Sequence, residues 1–310
     1  MKSCIAVDVG GTKMLVAEVR EDASVVNMRR YVTAGLQKQQ VMQAILDNIR
    51  DYEQQVGWEK GVMPDTIGIG VNSMVDLEKG LWLPNWDYEP TIALVDEMKK
   101  AFPDCRCYIE NDVKAAVMAE SMFGAGKGCR DMLYLNVGTG MAAGFIVNGK
   151  IVRGSDGFAG EVGYMNLNYG EGDSAEMRAS GMGLAHQAKL KIRDYPDSLL
   201  KPYVEQGVTG YQVFEAAEKG DHLANELLDQ LVKISALMIS NIVCVFSPEI
   251  AVVGGGLISN GKLLDRIVNA MIPKSLGHLE KGVVLTELNP DFAGLMGAAA
   301  VGLGCQKLYC

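Results

Sequence analysis

A chain of 310 residues with 48% hydrophobic and 22% charged side chains has an ordinary globular composition and room for two domains, which excludes a disordered protein. Its formal charge of −9 argues against nucleic acid or an anionic membrane as partner, but not against a nucleotide held by backbone N–H groups and magnesium. No long apolar stretch precedes Asp8, so no signal peptide is expected, and seven scattered cysteines, an odd number, point to reduced thiols in the cytoplasm.

In chain order, Cys4–Val9 and Met14–Arg20 read as two strands around a glycine turn, and 23–32 as a third. Apolar spacing at Val41, Met42, Ile45, Leu46 and Ile49 predicts a helix over Gln39–Gln55. Thr66–Val71 reads as a strand, Pro90–Ala101 as a helix and Cys105–Ile109 as a strand. Cys105 and Cys107 stand two positions apart with no histidine nearby in sequence, so no zinc site is expected there. A helix then starts near Asn111-Asp112 and runs to about Phe123.

Gly124–Gly128 is a polar, glycine-rich linker, and after it the opening pattern returns. Ala6-Val7-Asp8-Val9-Gly10-Gly11-Thr12 matches Tyr134-Leu135-Asn136-Val137-Gly138-Thr139-Gly140: an apolar strand, a polar residue, Val, a glycine turn, a second strand. Ile67–Val71 and Ile250–Gly256 form a later pair of strands that run into turns. Such self-similarity predicts two lobes of one ancestral unit. The second carries about 55 extra residues between Asn148 and Pro248. The expected division is a small lobe over 1–123, closed by a tightly packed helix over 294–310, and a large lobe over 124–293. The longest apolar run, Ala236–Val253, holds Asn241, Pro248 and Glu249, which speaks against a plain membrane span.

Several segments suit chemistry. Asp8-Val9-Gly10-Gly11-Thr12-Lys13 puts two glycines and a threonine at a strand-to-strand turn, where N–H groups converge and a phosphate can approach the backbone. Asp8, ending a buried strand, can hold magnesium or its waters. The competing reading is a plain hairpin capped by Asp8. The segment is neither a Walker P-loop nor a Rossmann fingerprint, because a strand rather than a helix follows. Gly138-Thr139-Gly140 is the corresponding turn of the second lobe, and two such turns facing each other suit a nucleoside triphosphate. Gly254-Gly255-Gly256 follows a strand and precedes a helical segment, so its amides are nucleotide candidates; a tight structural turn is the alternative.

Glu110-Asn111-Asp112 stands where a strand ends and a helix begins, so Asp112 is either a helix cap or a general base aimed at a hydroxyl. Glu161, set among Gly157, Gly160 and Gly163, suits a rigid loop accepting hydroxyl hydrogen bonds, or an exposed turn. Leu83-Pro84-Asn85-Trp86 pairs an amide with an aromatic ring, as sugar sites do, or packs as a surface loop. His186, His222 and His278 lie far apart without metal spacing and read as structural.

The ordered set DVGGTK, PNW, END, GTG, GEVG and VVGGG, spread from Asp8 nearly to the final helix, resembles the ROK family of sugar kinases in the actin/hexokinase-like superfamily. The resemblance implies an α/β fold of two actin/hexokinase-like (ribonuclease H-like) lobes, each a mixed sheet flanked by helices, with ATP and sugar in the cleft between. It implies Asp112 as catalytic base and Asn85, Asn111, Asp112 and Glu161 as ligands of sugar hydroxyls. Asp8, Gly10, Gly11, Thr12 and Lys13, with Gly138, Thr139 and Gly140, match the phosphate turns, and Gly254, Gly255 and Gly256 the nucleotide side. Magnesium is expected at Asp8, directly or through water.

The chain departs from the family pattern in three places. Tyr164 replaces a histidine that binds zinc and touches the sugar, so the sugar contact there must change. The run Asn166–Met182 lacks the cysteines that complete the zinc site, so no zinc is expected. Asn72-Ser73 replaces the usual proline–glycine near the sugar. The implied reaction is ATP-dependent phosphorylation of a hexose on its primary hydroxyl, glucokinase-like, with a β-glucoside or an N-acylhexosamine as alternative acceptors. The alternatives of another class are a sugar-binding regulator or a non-catalytic sugar-binding protein. By analogy with the family, a homo-oligomer, dimer or tetramer, is expected.

Overall fold

The computed structural model describes residues 1–85, 88–167 and 173–308. In chain order the first half contains β1 (Ser3–Val9), β2 (Lys13–Arg20), β3 (Val25–Val32), α1 (Lys38–Gln55), β4 (Thr66–Val71), β5 (Val75–Asp76), β6 (Leu81–Trp82), α2 (Leu94–Ala101), β7 (Arg106–Asn111) and α3 (Asp112–Phe123). The second contains β8 (Met132–Val137), β9 (Met141–Val147), β10 (Lys150–Ile151), a 3-10 turn at Val162–Tyr164, α4 (Ala175–Ala179), α5 (Gly181–Lys191), α6 (Gly210–Glu218), α7 (His222–Phe246), β11 (Ile250–Gly254), α8 (Leu264–Ala270), α9 (Pro273–Leu276), β12 (Val283–Leu285) and α10 (Ala293–Leu308).

Two five-stranded mixed sheets result, ordered β3-β2-β1-β4-β7 and β10-β9-β8-β11-β12. Strand for strand the orders correspond. β1 pairs antiparallel with β2 and parallel with β4, while β8 pairs parallel with β11. Asp8 stands opposite Gly70 and Asn136 opposite Gly254. The repeated sequence pattern is therefore a repeated topology.

By compactness the chain divides into one unit of residues 1–128, 144–159 and 287–310, and another of 129–143 and 160–286. In the first unit, side-chain alternation sorts the sheet faces. Ile5, Val7 and Val9 of β1, with Ile67, Ile69 and Val71 of β4, join Val41, Met42, Ile45 and Ile49 of α1 in one core. The other face meets α10. An added Cβ at Gly68 would collide with the backbone of Ala298 and Gly302, and one at Gly297 would come within 3.1 Å of Ala115. The small residues of α10 thus let it lie directly on β4 and α3.

In the second unit α7 is long and apolar enough to cross a membrane by composition alone, but 56% of its most apolar window is buried in protein. The apolar run Ala236–Val253 is two elements: the end of α7 and the start of β11, separated at Ser247, whose φ of 49° closes the helix.

Two local differences from the sequence reading have clear causes. α2 begins at Leu94 rather than Pro90, because Ile92 exchanges backbone hydrogen bonds with Trp82 (2.8 and 3.0 Å) and extends the β5–β6 hairpin. After Gly256 there is no regular helix until α8. The amides of Ile258 and Ser259 both donate to the Gly255 carbonyl at 3.0 Å, forming a single turn.

Candidate active-site residues

In the first unit the residues singled out above gather at one edge of the sheet. β1, β4 and β7 run parallel, and Asp8, Gly70 and Glu110 stand in register near their C-terminal ends. That edge is where open α/β sheets hold ligands. Beyond β1 the turn is tight: the Gly10 amide donates to the Lys13 carbonyl at 3.0 Å. Residues 33 and 34 brace it from outside. The Thr33 amide donates to the Thr12 carbonyl (3.1 Å) and the Thr33 hydroxyl to the Gly10 carbonyl (2.7 Å). The carbonyls of Gly10, Thr12 and Lys13 are thereby occupied, whereas the amides of Gly11 and Thr12 donate to no described residue. A backbone with free N–H groups and no side-chain bulk at Gly11 can receive an anion.

Asp8 lies on the α10 face of β1. An added Cβ at Gly294, in the first turn of α10, would stand 2.5 Å from its Oδ1. Burial raises the Asp8 pKa from 3.8 to about 6, against the opposing pull of Lys13. A single desolvated carboxylate beside free amides is a donor set that suits magnesium, which keeps most of its waters and takes one or two carboxylates together with substrate phosphates.

At the end of β7 the helix cap is Asn111 and not Asp112. Asn111 Oδ1 accepts the amides of Val113 and Lys114, both at 3.1 Å. Asp112 is the first helical residue. Its Oδ1 accepts the Val113 amide at 2.9 Å and Asn111 Nδ2 at 3.1 Å. A carboxylate at a helix N-terminus that accepts from these two donors is fixed in direction. Behind it, buried Glu110 accepts Arg153 Nε (2.9 Å) and Nη2 (2.7 Å), which anchors the strand end. Asn85 is tied to the same region: its Nδ2 donates to the Asn72 carbonyl at 3.2 Å. Asn72-Ser73 is thus a structural link between the Asn85 loop and Asn111, whose Nδ2 reaches the Ser73 carbonyl at 3.4 Å. Trp86 lies outside the described residues.

In the second unit the two other glycine turns come together. Gly255, at φ 91°, sits so close to β8 that a Cβ would stand 2.5 Å from the Val137 carbonyl. Gly138 is 3.7 Å, by the same measure, from the Gly256 nitrogen. The start of α5 secures Gly138-Thr139-Gly140, with the Gly181 amide on the Gly138 carbonyl (2.8 Å) and the Met182 amide on that of Thr139 (3.0 Å). The Glu161 turn lies against β9: the Gly160 carbonyl accepts the Ala143 amide at 2.7 Å. Tyr164 is 65% exposed.

Glu176 was not singled out in the sequence. Its Oε2 accepts the Met141 amide at 2.9 Å, and its side chain lies where a Cβ on Gly140 (2.5 Å) or on Gly163 (3.1 Å) would fall. It joins the glycine turn to the turn that follows Glu161. No local signal marks it, because its partners are distant in the chain. The same holds for Gly294 against Asp8.

The model of the ROK family matches residues 4–303. The glucokinase of Thermotoga maritima is 28% identical over 96% of this chain and 96% of its own length. A ROK family glucokinase from Streptomyces griseus, solved in complex with glucose and AMPPNP, is 28% identical and superposes with a TM-score of 0.75 over 97% of this chain and 99% of that one. The ROK hexokinase of Thermus thermophilus, at 24% identity, shares the fold with a TM-score of 0.81 over 98% of this chain and 99% of its own.

Proposed function

This chain belongs to the ROK family, and from that premise we propose that it is a sugar kinase, moving the γ-phosphate of ATP onto the primary hydroxyl of a hexose or hexose derivative. The observation that carries the reading is Asp112. It is a carboxylate aimed by Asn111 and the helix backbone, at the sheet edge that also bears Asp8 and the Gly10–Lys13 turn.

Asp112 accepts the proton of the attacking hydroxyl, which leaves an oxygen able to displace ADP in line from the γ-phosphorus. The amides of Gly11 and Thr12, with Lys13, and those of Gly138–Gly140, receive phosphate oxygens. Gly254–Gly256 lie on the nucleotide side. Asp8 holds magnesium, directly or through water, and the ion supplies neutralisation of triphosphate charge. Asn85, Asn111, Glu161 and Tyr164 meet the sugar hydroxyls and ring. With its amide nitrogen committed to Asn72, Asn85 offers Oδ1 as an acceptor. Tyr164 and the cysteine-free run 166–182 support a site without structural zinc. Glucose is the first candidate acceptor; a β-glucoside or an N-acylhexosamine is the alternative.

A coupled ADP-release assay over glucose, N-acetylated hexosamines, fructose and cellobiose tests this. Sugar binding by calorimetry without turnover on any of them would sink the kinase reading and favour a non-catalytic sugar-binding protein.

A further inference from the structure

Lys38 stands outside every residue assigned above, yet it is an unusual lysine. It opens α1, where the helix dipole disfavours a cation, and it is only 9% exposed. Burial lowers its pKa, with Glu89 opposing the shift. A cation carrying these penalties persists only where its partners compensate.

Its partners all belong to the Asn85 loop and its approach. Lys38 Nζ donates to the Leu83 carbonyl, lies 4.7 Å from the centroid of the Trp82 ring, and stands 3.6 Å from Glu89 Oε2. Glu89 Oε2 in turn accepts the Asn85 amide at 2.9 Å. The Trp82 indole N–H is buried without a partner among the described residues, so the ring serves here through its face. From the other side, Ser73 Oγ donates to the same Leu83 carbonyl at 2.5 Å, and the Ser73 carbonyl accepts Asn111 Nδ2 at 3.4 Å. Asn111 Nδ2 then reaches Asp112 Oδ1. The loop is thus clamped between α1 and the cap that aims the carboxylate.

We infer that Lys38, with Glu89, is a positioning residue for the sugar: it sets the direction of Asn85 and ties that direction to Asn111 and Asp112, without itself touching substrate. An apolar side chain at 38 would fill the space against Trp82 but fix neither the Leu83 carbonyl nor Glu89. The inference takes its substrate, though not its geometry, from the sugar-kinase reading.

Lys38→Met and Glu89→Gln test it, with steady-state kinetics and hydrogen exchange measured on the segment 81–85. Both variants should raise KM for the sugar about tenfold, leave kcat and KM for ATP within about twofold, and speed exchange of the Asn85 amide. The double variant should do little more than either single one. An unchanged sugar KM in both variants overturns the inference. So does a joint rise of both KM values with a lowered melting temperature and unaltered exchange at 81–85. If the wild type turns over no sugar, the kinase reading fails, and exchange in Lys38→Met still decides the clamp: unchanged protection refutes it.

Discussion

Asp8 and Asn136 occupy the same station of a repeated sheet, one opposite Gly70 and the other opposite Gly254, each two residues before a glycine turn. The first is an acid whose pKa is raised to about 6 by burial; the second is a neutral amide at the same depth in its strand. An amide costs the fold little when half-buried, whereas a desolvated carboxylate opposes folding at neutral pH. On the proposed function, a triphosphate also repels every carboxylate that is not neutralised by a cation, so one acid suits one metal ion. The duplicated architecture therefore supplies two turns that differ in charge at the corresponding station.

The largest expected effect lies on the charged side. Asp112 has no counterpart among the residues singled out in the second unit, so Asp112→Asn should lower kcat by roughly a thousandfold while sugar affinity stays within about threefold. Turnover close to wild type in the ADP-release assay would remove the assigned base.

Asp8→Asn copies the second turn into the first. Turnover should fall about a hundredfold, and stability should move the other way. The sign follows from linkage. The folded pKa, about 6, exceeds the unfolded 3.8, so the contribution is present below pH 3.8 and lost as pH rises through 6. Removing the carboxylate should therefore raise stability above pH 6 by on the order of 1–3 kcal/mol, with no gain below pH 4. Thermal melts from pH 4 to 8 read this directly. In the wild type, kcat/KM for ATP should decline below about pH 6, as Asp8 takes up a proton. A flat acid limb would separate Asp8 from metal binding.

Packing around the two stations gives the next effect. Gly294→Ala drives a methyl group against the Asp8 carboxyl, and Gly255→Ala forces one onto the Val137 backbone at a φ of 91°. Each should cost about 1–3 kcal/mol in denaturant unfolding. Only Gly294→Ala should also shift the acid limb of activity, because it alone moves the charged group. Equal effects of both on that limb would mean the comparison between the stations is wrong.

What the sequence made legible follows from what is local in the chain. The turn after β1, its repeat after β8, the strand–helix junction at Asn111-Asp112 and the small residues of α10 are each contiguous patterns, and the fold bears them out. The correspondence of the two sheets was readable because duplication preserves order. Glu176, Gly294 and Lys38 were not legible. Each acquires its place from partners 35 or more positions away: Met141, Asp8 and Leu83. The identity of the cap was also closed to sequence reading, since adjacent Asn111 and Asp112 are both good caps and only the geometry distinguishes them.

The smallest expected structural effect isolates why glycines occupy the turns at all. Gly11 and Gly256 belong to the first and second units respectively. Neither has a positive φ, and an added Cβ at either would meet nothing within 4 Å. The fold therefore asks for glycine at neither position, unlike Gly255. If both are glycine so that phosphate can approach the backbone, Gly11→Ala and Gly256→Ala should leave the melting temperature within about 1 °C while raising KM for ATP roughly five- to tenfold. Sugar KM should be unaltered in both. A rise confined to Gly11→Ala would assign the phosphates to the Asp8 side alone. Unchanged KM in both variants would mean that the bare backbone at these two turns does not meet the nucleotide.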